Sequence, residues 1–373
     1  MSPAFARYDG TGLRFPRFAG SPASIGRAHD EALAADIAYN VGLLLEENGL
    51  GARLDRNVRY QRWRERQAEA TEREFPGSLP EIEAIARSSG HPLPRLLDLA
   101  FCGGWEHFED EADDPSSCCS TMAVRSKDGA MLCTSTLDDP WRIWPCPAHY
   151  APASGRAFAT TVWPGTSWAG RGMNDAGLCL NTAGLGIRKA DRSHYRDGAG
   201  THLGFALRAM LAGCADVGEV RRFCREHPFT MNLVAVDRNG GLFAAHLTEE
   251  GPVEVGDGDS AALTNTVEDD ALAWRFGRAG YSLYPEQPTS RFRHGRIRAF
   301  LAERGGRTTL EEAAGMFAAR DASDPDAVCH PLTAYVTAAS PSEDPGTYWM
   351  LRPNDPDAPT AFTGFPTRAG KGD

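Results

Sequence analysis

Apolar side chains recur at helical spacing through the first hundred residues of the chain. Leu33, Ile37 and Val41 stand four positions apart, which predicts a helix over about 21–48, closed by Gly49. The same periodicity predicts three further helices over 57–74, 78–90 and 94–105. The amino-terminal part of the chain is therefore predicted to be mostly helical.

The pattern changes after an acidic run at 109–114 and the turn-forming residues 115–117. Short strands are then predicted over 119–125, 130–136, 156–163, 167–173, 177–183, 231–237, 241–248, 261–265, 333–338 and 347–352. Helices are predicted over 202–213, 217–226, 290–304 and 310–319. Turns at 174–177 and 237–241 each join two strands. This order favours an α+β fold with antiparallel sheets, divided into a helical segment 1–118 and a second segment 119–373.

Charge and cysteine usage narrow the class of protein. The net charge of −11 and the isoelectric point near 5.4 argue against binding to nucleic acid or to an anionic membrane. The nine cysteines are an odd number without a C-x-x-C pair, which fits a reduced, cytoplasmic protein without a metal site. No signal-like or membrane-spanning apolar run is seen, and no P-loop or G-x-G-x-x-G predicts a nucleotide cofactor; we expect no cofactor.

A candidate nucleophile stands at the head of the first predicted strand of the second segment. Cys118 and Cys119 precede Ser120 and Thr121, so a thiol lies where a loop enters a rigid strand. The competing interpretation is a buried cysteine pair, since free cysteine is among the most buried residue types. No G-x-S-x-G is present, so a serine hydrolase has no support.

Several motifs along the chain occur in an order that one enzyme family shares. They are Ile25-Gly26-Arg27-Ala28-His29 at a helix start, Glu81-Ile82-Glu83-Ala84-Ile85-Ala86, Cys119-Ser120-Thr121, Gly172-Met173-Asn174-Asp175-Ala176-Gly177-Leu178 with Asn181, Thr264-Asn265, and Ala327-Val328-Cys329-His330. In these motifs the chain resembles the acyl-coenzyme A:6-aminopenicillanic acid acyltransferase family of cysteine N-terminal-nucleophile (Ntn) hydrolases.

The resemblance implies a four-layer αββα sandwich made as a precursor. The chain would cut itself between Cys118 and Cys119, and Cys119 would become an amino-terminal residue. A free α-amino group has a pKa of about 7.7–8.0, so it can take the thiol proton near neutral pH and return it to a leaving amine. Nucleophile and base would then belong to one residue.

Two observations favour Cys119 over Cys118 as the nucleophile. The pair 120–121 follows Cys119 in the register of the family, and Gly129 stands ten residues after it, where a strand turn is expected. Cys118 occupies the position before the scissile bond, where the family usually has glycine.

The resemblance also implies roles for five other residues. Asp138 would hold the new α-ammonium or a substrate amine, or it is a solvated acid at a strand end. Asn265 would donate an N–H to the oxyanion, or it is a turn residue. Asn181 would orient the amine or line the substrate site, or it satisfies backbone groups of a hairpin. Thr121 and His330 would bind substrate.

The predicted reaction is attack on a linear amide or thioester, followed by transfer of the acyl group to water or to an amine. Substrates would be small amides or acyl thioesters, such as acyl-CoA or a carrier-bound acyl group of secondary metabolism, and the cleavage fragments would stay together as a heterodimer. Four tryptophans would line an acyl pocket or belong to the core: Trp141, Trp144, Trp163 and Trp168.

A second hypothesis is an unprocessed or non-catalytic member of the family that serves as a binding module. It is motivated by three departures from the family pattern: Cys118 where glycine usually precedes the nucleophile, Thr136 in place of the Asn of an Asn-x-Asp, and Thr266 in place of the His after Asn265.

Overall fold

The structure is a computed structural model of the chain. It describes residues 16–47, 49–101, 119–138, 145–185, 202–248, 250–267, 288–319, 327–329, 333–342, 347–351 and 361–364. The helices are α1 (Pro22–Val41), continued by a π-helix (Gly42–Glu47), α2 (Leu50–Arg56), α3 (Val58–Glu74), α4 (Ser78–Ser89), α5 (Leu93–Ala100), α6 (Leu203–Gly213), α7 (Val217–Glu226), α8 (Pro288–Arg304) with a short 3-10 turn (Gly305–Arg307), and α9 (Leu310–Ala318). Within these ranges, no helix is both long and apolar enough to cross a bilayer.

The strands of the described residues are β1 (Arg17–Gly20), β2 (Ser120–Arg125), β3 (Met131–Asp138), β4 (Cys146–Pro152), β5 (Phe158–Val162), β6 (Gly172–Asn174), β7 (Leu178–Ala183), β8 (Met231–Asp237), β9 (Leu242–Thr248), β10 (Gly251–Glu254), β11 (Ser260–Leu263), β12 (Thr333–Ser340), β13 (Thr347–Leu351) and β14 (Ala361–Gly364). Eight of them form sheet A, in the order β1-β4-β5-β6-β7-β8-β9-β10. Six form sheet B, in the order β11-β2-β3-β12-β13-β14. The strand pair β1–β4 is parallel, and the other pairs of the described strands are antiparallel.

Three apolar clusters show how the layers stack. Helices α1 to α7 cover the outer face of sheet A, where residues such as Ile37 and Leu211 belong to one buried cluster. A second cluster, which includes Ala123 and Val234, lies between the two sheets. A third packs α8 and α9 on the outer face of sheet B, around residues such as Ile297. The order helix, sheet, sheet, helix confirms the predicted four-layer αββα sandwich.

Both predicted hairpins are confirmed, because their turns are decided locally. Gly177 and Gly240 close them with φ of 80° and 82°, a backbone region that glycine enters at little cost. Strand β4 was not predicted, since Pro147 and Pro152 lack the N–H that a sheet ladder uses. Helix α2 and the short strands β10 and β14 also went unpredicted.

The strand predicted over 167–173 is wrong for most of its length. Only the last two of these residues belong to β6. The preceding segment instead bonds to other parts of the chain: Ala169 N donates to Gly204 O at 3.1 Å, and Gly170 N donates to Thr161 O at 2.8 Å. The predicted helix over 21–48 is also shorter than expected, because its α-helical part ends at Val41.

The start of α1 is held against its neighbours by a glycine and a histidine. A Cβ on Gly26 would come within 2.4 Å of Glu81 O, so only glycine lets α1 and α4 approach this closely. The His29 ring stacks on Phe18 with centroids 5.1 Å apart, and its Nε2 accepts a hydrogen bond from Gly165 N at 3.1 Å. Burial, together with the positive charge of Arg208, lowers the pKa of His29 to about 3.

This histidine makes stability depend on pH. Below the unfolded-state pKa of 6.5 the unfolded chain protonates His29, whereas the folded protein resists protonation until about pH 3. Stability is therefore lost as pH falls through this window, by about 1.4 kcal/mol per pH unit from this group. His29→Gln keeps an acceptor without the titration, so the variant should lose about 2 kcal/mol less than the wild type between pH 6.5 and pH 5 in urea denaturation.

The control is His91→Gln, which changes a partly exposed histidine and should leave the wild-type slope intact. Equal loss of stability in wild type and His29→Gln over this range would contradict the prediction.

Candidate active site

Cys119 lies at the end of the face that sheet B turns toward sheet A. Leu263 pairs with Thr121 in the β11–β2 ladder, and the same register continued by two residues places Asn265 beside Cys119. On the other side, the β2–β3 register places Leu137 next to Cys119. Residues that are far apart in the sequence therefore meet around one thiol because two antiparallel ladders share strand β2.

A buried guanidinium links the backbone of Cys119 to the side chain of Asn265. Arg293 is 1% exposed and comes from α8. Its Nη1 donates to Cys119 O at 2.8 Å and to Ser120 Oγ at 2.6 Å, and its Nη2 donates to Asn265 Oδ1 at 2.9 Å. Since the amide oxygen of Asn265 faces the cation, its Nδ2 is directed away from it. One arginine thus orients the candidate oxyanion donor and anchors the backbone of the candidate nucleophile.

The loop that carries Asn265 is held by a serine hydroxyl. Ser290 Oγ accepts from Asn265 N at 3.0 Å, donates to Thr264 Oγ1 at 2.8 Å and lies 3.0 Å from Thr266 Oγ1. Asn265 Nδ2 donates to Gly184 O in the segment that follows β7 of sheet A, at 2.9 Å. The side chain of Asn265 therefore reaches across the gap between the two sheets.

A second link between the sheets supports the same loop. Asn232 Nδ2 donates to Thr264 O at 2.5 Å, so its Oδ1 is an acceptor. His246 Nδ1 lies 2.6 Å from that Oδ1, which assigns the ring proton to Nδ1. The side chains of β8 and β9 thereby fix the position of the loop after β11.

Asp138 lies close to the thiol, at the end of β3. Cys119 Sγ is 3.9 Å from Asp138 O, and the carboxylate accepts hydrogen bonds from Thr136 Oγ1 at 3.1 Å and from Thr333 Oγ1. Thr136 Oγ1 in turn accepts from Ser120 N at 2.9 Å. Asp138 is 5% exposed, so it is not the solvated strand-end acid of the alternative interpretation.

The surroundings of the Cys119 side chain are apolar. It belongs to a small buried cluster with Leu137, Ala183, Tyr335 and Met350, against which Trp163 and Ala334 pack. Trp163 also contacts Trp168 edge-on, with ring centroids 5.2 Å apart. Trp163 therefore stands both in the core and beside the thiol, as either interpretation of the tryptophans requires.

Thr121 and Asn181, two predicted site residues, lie farther than Cys119 into the space between the two sheets. Thr121 Oγ1 donates to Thr134 O at 3.3 Å, and Asn181 Oδ1 on β7 accepts from Thr337 Oγ1 at 3.3 Å. In the described part of the chain, neither side chain is hydrogen-bonded to Cys119. Their roles toward substrate stay predictions.

The remaining predicted positions fall outside the described residues. These are Cys118 at the proposed cleavage point, His330 as a substrate ligand, and Trp141 and Trp144.

Arg293 and Ser290 were not predicted from the sequence, although the position of Arg293 in the apolar pattern of its helix indicates a buried charge. It stands four residues before Ile297 and eight before Leu301, and all three are buried on one face of α8. A charged residue in line with the apolar positions of an amphipathic helix marks a cation directed into the core, where it needs partners.

Ser290 gives the first test of this arrangement. Ser290→Ala removes the acceptor of the buried Asn265 N–H, and an unsatisfied buried donor costs about 1–3 kcal/mol. We expect that loss of unfolding free energy in urea denaturation. The matched control is Ser88→Ala on α4, whose hydroxyl only adds a bond to helix carbonyls at Ala84 and Ile85 and should cost less. Equal costs for the two variants would show that Ser290 does not hold the loop.

Comparison with known proteins gives structural likeness without sequence likeness. No protein-family model and no curated protein matches the chain. A mutant of the conjugated bile acid hydrolase from Clostridium perfringens is similar over 67% of this chain and 93% of its own, at 13% identity and a TM-score of 0.40. Penicillin V acylase from Agrobacterium tumefaciens is similar over 63% and 83%, at 13% identity and a TM-score of 0.39. The Caenorhabditis elegans ortholog of N-acylethanolamine-hydrolyzing acid amidase is similar over 64% and 95%, at 11% identity and a TM-score of 0.42. These TM-scores are below 0.5, so the fold class rests on the layers and strand order of this chain itself.

Proposed function

We propose that the protein is a cysteine Ntn enzyme that cleaves a linear amide or thioester through an acyl-enzyme on Cys119. The observation that carries the proposal is the position of this thiol. It stands at the start of a central strand, in register with Asn265, and Arg293 holds both residues. The sequence motifs support membership in the acyltransferase family, with water or an amine as the acyl acceptor.

The residues can be assigned to the steps of the reaction. Cleavage before Cys119 frees an α-amine, which takes the thiol proton, and Sγ attacks the substrate carbonyl. Asn265 Nδ2 donates one hydrogen to Gly184 O, and its second N–H donates to the oxyanion that forms, a contribution on the order of 10²–10³ in rate. The ammonium returns its proton to the leaving amine or thiol as the bond to carbon breaks, and the acyl group stays on Sγ as a thioester. Water or an amine then attacks the thioester and restores the thiol.

Two further features suit this chemistry. The main-chain carbonyl of Asp138 lies 3.9 Å from Cys119 Sγ, and its carboxylate would hold the α-ammonium when it forms. The apolar cluster of Leu137, Tyr335 and Met350 provides a surface for the acyl chain beside the thiol.

Thiol labelling distinguishes this enzyme from a binding module. Burial raises the pKa of Cys214 and of Cys224 to about 12, so these thiols are poor nucleophiles at neutral pH. We expect Cys119 to react with iodoacetamide at least about tenfold faster than either of them, as measured by peptide mass mapping. A Cys119 that labels no faster than the buried cysteines would leave only the binding-module hypothesis.

Intact mass spectrometry of the freshly purified protein tests the maturation step. Two fragments that meet between Cys118 and Cys119 are expected, because only an amino-terminal Cys119 carries its own base. A single uncut chain would remove the α-amine from the mechanism, and the base would then have to be another group.

Substitution separates the two adjacent cysteines. Cys119→Ser should abolish turnover of a panel of N-acyl p-nitroanilides and acyl thioesters, whereas Cys118→Ala should at most slow maturation. Since the two changes are of similar size at neighbouring positions, each serves as the control for the other. Undiminished turnover in Cys119→Ser would rule out this nucleophile.

A further inference from the structure

Arg171 is a buried cation without a counterion among the described residues. It is 2% exposed and stands just before β6, in the space between the two sheets. Its Nε donates to Ser135 Oγ at 2.6 Å and its Nη2 to Thr182 O at 2.6 Å. Both acceptors are neutral, and no carboxylate in the described part of the chain pairs with it. A buried charge is normally paired, because desolvation of an ion costs several kcal/mol.

The strand registers place this cation beside the nucleophile. Ser135 pairs with Thr121, which lies two residues after Cys119 on the same face of β2. In sheet A, Thr182 precedes Ala183, a member of the apolar cluster around Cys119. The guanidinium therefore lies level with the inward-facing position next to that of Cys119 along the strands. Inward-facing positions are two residues, or roughly 7 Å, apart.

An unused amide donor stands next to the same cation. Gly172 pairs with Leu180 in the β6–β7 ladder, so Asn181 lies opposite Arg171 in the register. Asn181 is 1% exposed, its Oδ1 accepts from Thr337 Oγ1, and its Nδ2 has no hydrogen-bond partner in the described structure. The buried donors here are therefore a guanidinium that is bonded to neutral acceptors and an amide Nδ2 that has no acceptor in the described structure.

We propose that Arg171 and Asn181 bind a carboxylate of the substrate. The enzyme would then act on amides or thioesters that carry an acidic group a few bonds from the scissile carbonyl. Burial makes this pairing strong, because a charge-assisted hydrogen bond gains strength where water is excluded. The inference rests on the proposed function, since it takes Cys119 as the group that attacks the bound molecule.

Cysteine reagents that differ in one charge test the site without a known substrate. Cys119 is treated with 2-carboxyethyl methanethiosulfonate and with neutral propyl methanethiosulfonate at low salt, and its modification is followed by peptide mass mapping. The rate with the carboxylate reagent is divided by the rate with the neutral reagent. The same ratio for a short cysteine peptide is the reference, because it gives the intrinsic reactivity of the two reagents. We expect the carboxylate reagent to be favoured by about tenfold or more, as one charge-assisted hydrogen bond predicts. Arg171→Met should reduce the preference to that of the peptide, and Arg171→Lys should keep part of it.

If Arg171→Met does not fold, the site can be tested in the wild-type protein by measuring how well small compounds protect Cys119 from modification. Propionate should slow the reaction of Cys119 with the neutral reagent, whereas propionamide at the same concentration should not. Equal protection by the two compounds, or none, would overturn the anion site. Asn181→Leu should weaken protection by propionate, because it removes the second donor at similar volume.

The outcomes distinguish failure of the carboxylate site from failure of Cys119 as the nucleophile. A Cys119 that reacts with neither reagent would overturn the nucleophile itself. A Cys119 that reacts with both, at the ratio of the peptide, would overturn only the carboxylate site. If Arg171→Met slows both reagents equally, the cation acts on the thiolate rather than on a ligand, and the substrate class proposed here is wrong.

Discussion

The candidate site depends on a buried guanidinium that three acceptors hold in place. Arg293 leaves the outer helical layer and reaches the ends of two strands of sheet B, where it binds Cys119 O, Ser120 Oγ and Asn265 Oδ1. Burying such a charge is costly, and the cost is offset only if its partners stay in place. The arginine therefore ties the packing of α8 to the geometry of the thiol, so the outer layer and the chemistry are not independent.

The space between the sheets changes character along its length. At one end it is apolar, and Cys133 Sγ and Cys179 Sγ meet there at 3.2 Å. Burial raises the pKa of Cys179, so its thiol is a neutral part of the packing. At the next inward-facing positions along the strands, Arg171 and Asn181 form a polar layer. Cys119 lies at the positions after that. The sandwich thus places a poorly solvated charge between an apolar core and Cys119.

Local rules predicted most of the elements and failed where the chain uses distant partners. The hairpins at Gly177 and Gly240 follow from turn chemistry, and the amphipathic helices follow from their period. Strand β4 exists despite its prolines because two neighbouring strands pair with it, a condition that no window of sequence contains. The segment before β6 bonds instead to a helix end at Gly204. In the site, the resemblance named Asp138 and Asn265 together with Cys119, whereas Arg293, which comes from a distant helix, was not found from the sequence.

The sequence by itself determined the α+β class, the succession of helices and hairpins, and the thiol at the head of a strand, because these depend on residues near one another. The resemblance named Asp138 and Asn265 as site residues, but only the tertiary structure decided how they are placed around that thiol and which unpredicted side chains join them. Asn265 reaches Cys119 through the β11–β2 register, and Arg171 reaches the same region from the opposite sheet. Strand order and sheet stacking arise from pairing over long separations, and side-chain alternation then selects which residue of each strand faces the gap. The strand order and the residues that face the gap are therefore determined by the packing free energy of the whole core.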